Sequence, residues 1–153
     1  MNGRKGLVVP ALCWQTFAST NARTEAAPCA RTEFGEQTLG LIGLGENSGE
    51  VAKRARMLGM RVLYYKRTPL STEEETALGG VRYIDFEALL AQSDFVSIHV
   101  PYGKPTEKMI GREALGKMKR GAYLINTARG GIVDEQALYE ALKVGHLSGA
   151  ALD

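Results

Sequence analysis

Two cysteines, two histidines and one tryptophan are all that this 153-residue chain contains of those types. The cysteines stand in no metal-like spacing and form no disulfide framework, which suggests a reducing compartment. Without a cluster of His, Cys and carboxylates, no metal centre is expected. No apolar run is long enough to cross a bilayer, so no membrane partner is expected. Pro10 interrupts the early run Leu7-Val8-Val9-Pro10-Ala11-Leu12, which argues against a signal peptide. Excess charge is lacking too: the net value is +2, which gives no hint of nucleic acid. No internal repeat is found. What remains is an ordinary globular composition, 44% hydrophobic and 24% charged, at a length that suits one domain with a proper core.

The segment Asn126-Thr127-Ala128-Arg129-Gly130-Gly131 carries the most chemical information. It follows the apolar run Ala122 to Ile125, which reads as a buried parallel strand. It precedes Asp134 and the periodic stretch Glu135 to Leu142, which reads as a helix capped by that aspartate. Arg129 therefore stands on a turn at a strand's carboxyl end, the edge where open α/β sheets bind ligands. A guanidinium there can hold a carboxylate by two parallel hydrogen bonds and polarise a neighbouring carbonyl. A surface arginine on a tight turn is the plainer alternative.

Upstream, the short strand Thr38 to Ile42 runs into Gly43-Leu44-Gly45 and then a helical pattern from Glu50 to Leu58, stopped by Gly59. A second strand, Arg61 to Tyr65, follows at once. Strand, glycine turn, helix and strand make a βαβ unit, the context that a dinucleotide fingerprint requires. Gly43 permits the tight turn and Gly45 lets the backbone approach a pyrophosphate. The helix start offers free N–H groups and a positive dipole end. The third fingerprint glycine is replaced by Ser48. Glu46 and Asn47 precede it, and the Glu46 carboxylate would repel a pyrophosphate unless it turns to solvent.

The alternation continues with a strand at Val81 to Ile84, a helix from Phe86 to Ala91 capped by Asp85, and a strand from Phe95 to Pro101. A short helix, Arg112 to Met118, and the strand and helix around Arg129 follow. A last strand runs from Ser148 to Leu152. Such alternation predicts an α/β fold of Rossmann type, a doubly wound parallel sheet in three αβα layers.

Together these residues resemble the NAD-binding domain of the D-isomer-specific 2-hydroxyacid dehydrogenases, which include phosphoglycerate dehydrogenase, glyoxylate/hydroxypyruvate reductase and phosphite dehydrogenase. The likeness runs from about Thr32 to Asp153 and is strongest from Met118 to Asp134. It implies cofactor contacts at Gly43, Leu44, Gly45, Glu46, Asn47 and Ser48, at Val100, Pro101 and Thr106, and at Thr127 and Ala128. Arg129 matches the arginine that binds the substrate carboxylate and carbonyl, and Asp153 the aspartate that holds the nicotinamide carboxamide. The resemblance further implies a small 2-hydroxy or 2-oxo acid substrate, a homodimer when complete, and the cytoplasm. The family's glutamate and its acid/base histidine have no match here, and His99 and His146 fall at non-catalytic positions. The chain is thus expected to be a fragment, inactive alone, with a domain at 32–153 and an unassigned, poorly ordered lead-in at 1–31.

After the second strand, NAD-dependent members usually place an aspartate for the adenosine ribose. Here Lys66, Arg67 and Thr68 stand instead. A cation pair cannot accept the ribose hydrogen bonds but can bind a 2′-phosphate. NADP is therefore favoured over NAD, with NAD and solvated strand-end cations as the alternative. Two rival readings stay open: a non-catalytic dinucleotide sensor, like the family's corepressors, and a non-functional fragment.

Overall fold

The computed structural model describes residues 34–153; the lead-in expected at 1–31, and Thr32 and Glu33, lie outside the described residues. Along the chain come β1 (Thr38–Ile42), α1 (Glu46–Met57), β2 (Arg61–Tyr65), α2 (Thr72–Ala77), β3 (Arg82–Tyr83) and α3 (Phe86–Gln92). Then follow β4 (Phe95–Ile98), α4 (Arg112–Lys117), β5 (Tyr123–Asn126), α5 (Glu135–Lys143) and β6 (Gly149–Leu152). All strand pairs are parallel, in the order β3-β2-β1-β4-β5-β6. The chain therefore winds outward from β1 to β3 and returns to lay β4 against β1. The reversal opens a crevice at the carboxyl ends of β1 and β4, the usual ligand position in doubly wound sheets.

Side-chain alternation along the strands builds two cores, one on each face. Leu39, Leu41, Val62 and Tyr64 pack with Ala52 and Ala55 of α1. Ile42, Val96, Ile98 and Leu124 pack on the other face with Leu89 and Leu90 of α3, Leu115 of α4 and Leu138 of α5. Gly40 lies under α3, where a Cβ would sit 2.2 Å from Ser93 Oγ. A small residue at mid-strand thus sets how closely helix and sheet approach.

The structure differs from the sequence expectations mainly at element ends. α1 begins four residues before the apolar periodicity does, because its first turn is polar and is closed by Ser48 instead of by packing. Asp134 caps α5 as expected, its carboxylate accepting from Ala137 N–H at 3.1 Å. Asp85 stands at the N-cap of α3 but makes no capping bond with its side chain. α2, which no apolar period marks, is held by a reciprocal cap. Glu74 N–H donates to Ser71 Oγ at 3.3 Å, and Ser71 N–H to Glu74 Oε2 at 2.8 Å.

Candidate active site and cofactor cleft

The glycine turn is built as its sequence requires. Gly43 adopts φ +91°, and a Cβ there would lie 2.8 Å from Val100 Cγ1 and 3.0 Å from the His99 carbonyl group. Its N–H donates to the Tyr65 carbonyl at 2.9 Å, which ties the turn to the end of β2. Gly45 is exposed, and no atom lies within 4 Å of the place where its Cβ would be. That open space is the cradle a pyrophosphate backbone approach needs.

Ser48 replaces the missing glycine by doing a different job. Its hydroxyl accepts from Gly45 N–H at 2.7 Å and donates to the Gly45 carbonyl at 3.2 Å, and the residue is buried. The turn is thereby locked, and the amides of Glu46 and Asn47 remain at the positive end of α1 for an anion. Glu46 itself is exposed and borders the crevice.

Two strands away, Asn126 ends β5 and is 1% exposed. Its side-chain amide donates to the Arg129 carbonyl at 2.9 Å, and its Oδ1 accepts from Ala128 N–H at 3.1 Å. Both ends of one buried amide thus clamp the turn that carries Arg129. The guanidinium is exposed, bonds only its neighbour's Ala128 carbonyl at 2.7 Å, and forms no ion pair among the described residues. It is a cation at the strand end without an acidic partner among the described residues. Asn126 escapes a search for chemical groups because its work is done on the backbone. Its two hydrogen bonds across the turn reveal it.

Between these turns lies an open cleft of about 940 Å³. It is lined by Gly45, Glu46, Asn47 and Ser48 on one side and by Val100, Pro101, Thr127, Ala128 and Arg129 on the other. The structure therefore gathers most of the sequence-derived site into one space. His99 and Tyr102, which the sequence does not single out as cleft residues, line it too. His99 is half-buried, its Nε2 lies 2.9 Å from Ser97 Oγ, and burial lowers its pKa from the ordinary value. Tyr102 lies over Gly131, where a Cβ would meet its ring at 2.6 Å.

The remaining candidates stand outside that lining. Gly43 is buried within the turn, and Leu44 is buried in the core cluster that includes Ala52 and Ala55 of α1. Thr106 spends its hydroxyl inside its own loop, donating to the Pro101 carbonyl at 2.8 Å and accepting from Gly103 N–H at 2.9 Å. It shapes the cleft wall instead of facing the cleft. Asp153 follows β6, its N–H donating to the Asn126 carbonyl at 3.0 Å, and its side chain is exposed. Lys66, Arg67 and Thr68 form an arch after β2, next to the Gly43 turn. Lys66 is half-exposed and Arg67 exposed, and neither makes an ion pair among the described residues.

Residues 14–153 match the family model for the NAD binding domain of D-isomer specific 2-hydroxyacid dehydrogenases. The chain belongs to that family. It is 50% identical over 117 residues to a glyoxylate reductase of Thermococcus litoralis, covering 76% of this chain and 35% of that protein. It is 49% identical over 121 residues to D-3-phosphoglycerate dehydrogenase of Archaeoglobus fulgidus, covering 79% of this chain and 23% of that one. Among solved structures, the NAD-complexed D-isomer specific 2-hydroxyacid dehydrogenase of Lactobacillus delbrueckii ssp. bulgaricus superposes with a TM-score of 0.77. That likeness carries 39% identity and covers 85% of this chain and 39% of that one. The chain thus spans about a third or less of the curated relatives named here. The family is one of oxidoreductases, and the glycine turn, the open Gly45 and the cleft all fit a dinucleotide.

Proposed function

We propose that this chain is the dinucleotide-binding part of an NAD(P)-dependent oxidoreductase acting on the CH–OH group of D-2-hydroxy acids. The observation that carries the reading is the single cleft bordered at one side by the Gly45 turn and at the other by Arg129. A bound nicotinamide would supply or accept the hydride. The chain's own residues hold and orient. The amides at the start of α1 bind the pyrophosphate, and Pro101 with Val100 walls the cleft. Asp153 accepts from the carboxamide. The Arg129 guanidinium takes the substrate carboxylate and polarises the adjacent carbonyl.

Proton transfer is not assigned to either histidine. His99 is engaged with Ser97, and His146 lies at the opposite sheet edge, its ring nitrogen 3.0 Å from the Leu115 carbonyl. The 153 residues by themselves therefore bind cofactor but do not turn over at enzymatic rates. That same feature supports the second reading, a binding module without catalysis. The complete protein is taken to be a cytoplasmic homodimer, by analogy with the family.

Lys66 and Arg67 favour NADP. A 2′-phosphate would gain charge-assisted hydrogen bonds, each worth about 1.5–3 kcal/mol when well formed. Exposure and screening keep the gain at the low end, so it shrinks as salt rises. Titration calorimetry with NADP and NAD at low and moderate ionic strength tests this. The expected result is tighter NADP binding that Lys66→Asp reverses. An NAD preference in the unaltered chain, or no response to Lys66→Asp, would refute the cofactor assignment, and no binding of either dinucleotide would refute the function.

A further inference from the structure

Tyr64 is wholly buried in β2, two residues before the cation arch, and its hydroxyl uses both of its capacities. It accepts from Leu70 N–H at 2.9 Å and donates to Glu75 Oε1 at 2.8 Å. The first bond closes the arch Lys66 to Pro69 onto the strand it left. The second joins that closure to α2. Glu75 Oε1 also accepts from Tyr83 N–H at 3.2 Å, so β3 is tied to the same atom. The Tyr64 ring is fixed in turn by an edge-on contact with Tyr83, centroids 5.6 Å apart.

Nothing about packing requires that hydroxyl, since a phenyl ring would fill the same core space. A donor–acceptor group at this buried point does one thing a ring cannot: it fixes the position of an otherwise exposed loop. The loop it fixes is the one carrying Lys66, Arg67 and Thr68. Building on the reading that this arch meets the adenosine ribose, we propose that Tyr64 and Glu75 are positioning residues for cofactor selectivity. They hold the arch in the conformation that distinguishes a dinucleotide bearing a 2′-phosphate from one without it. Neither touches the cofactor. Both act through the backbone of the arch.

The test uses the whole chain, with Tyr64→Phe, Glu75→Ala and Glu75→Gln. One readout is hydrogen exchange at the Leu70 amide, and the other is the ratio of dissociation constants for NADP and NAD. Tyr64→Phe and Glu75→Ala are expected to speed Leu70 exchange and to shift the ratio by about 3- to 10-fold, the scale of one hydrogen bond. Glu75→Gln keeps an acceptor for the tyrosine and is expected to stay near the unaltered ratio. A merely structural role would weaken both cofactors by the same factor. Equal weakening, or a Leu70 amide that exchanges at its original rate in Tyr64→Phe, overturns the proposal. If Lys66→Asp shifts the ratio and Tyr64→Phe does not, the cation assignment stands and positioning fails. If only Tyr64→Phe shifts it, positioning stands and the cation assignment fails. If neither does, both fail.

Discussion

Gly43 and Gly45 belong to one motif, yet replacing each by alanine should have opposite consequences. At Gly43 a side chain meets two obstacles. The backbone sits at φ +91°, which costs an L-residue about 1–2 kcal/mol. The new Cβ would also stand 2.8 Å from Val100 Cγ1 and 3.0 Å from the His99 carbonyl carbon and oxygen. A side chain can swing aside, but a strand-end carbonyl cannot move without carrying the cleft wall with it. Overpacking of this kind adds about 1–3 kcal/mol. Gly43→Ala should therefore lose roughly 2–5 kcal/mol of stability. At Gly45 the φ is −114°, and nothing lies within 4 Å of the added carbon. Gly45→Ala should leave stability within about 0.5 kcal/mol of the original. Its dinucleotide affinity should still fall, because the added methyl occupies the approach to the pyrophosphate. Urea unfolding and titration calorimetry on both variants separate the two effects. A Gly45→Ala protein that binds NADP and NAD as tightly as the original would refute the cradle. A Gly43→Ala protein that unfolds at the original midpoint would refute the steric account of the turn.

Glu46→Asn should tighten dinucleotide binding about 5-fold at low salt, the effect of removing a like charge worth ~1 kcal/mol at roughly 4 Å in a water-like dielectric. Equal or weaker binding by calorimetry would mean that the carboxylate points away from the pyrophosphate. The Tyr64 phenol is pushed up from 10.0 to about 12, chiefly by burial. From pH 10 to 12 the unfolded chain releases this proton while the folded chain keeps it. The contribution is therefore full below pH 10 and is lost as pH rises through that window, by up to about 3 kcal/mol. Urea midpoints at pH 9 and 11.5 should fall more steeply for the original chain than for Tyr64→Phe, and parallel slopes would contradict the assignment.

The strand and helix order was legible in the sequence because each buried strand is a short apolar run between turn residues. The glycine turn and Arg129 were legible because their roles depend on residue type at a fixed spacing. Four features were not. α2 lacks an apolar face, and its cap becomes visible only when Ser71 and Glu74 are seen to exchange bonds. Asn126 reads only as the start of the Arg129 segment and Tyr64 as an ordinary strand residue, and only hydrogen bonds across turns show that they hold loops. Ser48 reads as a weakened fingerprint, whereas its hydroxyl closes the turn in a way a glycine cannot. Thr106 was named by the resemblance alone, and only the structure shows that its hydroxyl is bonded within its own loop.

The parallel register has a consequence for what can occupy the cleft. Ile42, Ile98 and Asn126 stand side by side on β1, β4 and β5. The glycine turn, the His99 wall and the arginine turn therefore leave the sheet from one line, each a strand apart. Two strand spacings amount to about 10 Å. The sheet acts as a gauge, fixing through its backbone hydrogen bonds the distance between the strand ends from which the Gly45 turn and the Arg129 turn depart. A molecule that touches both turns must bridge that strand-end separation, adjusted by the reach of the turns themselves. Changes in the loops can alter which groups greet that molecule, but the spacing of the strand ends beneath them stays the same.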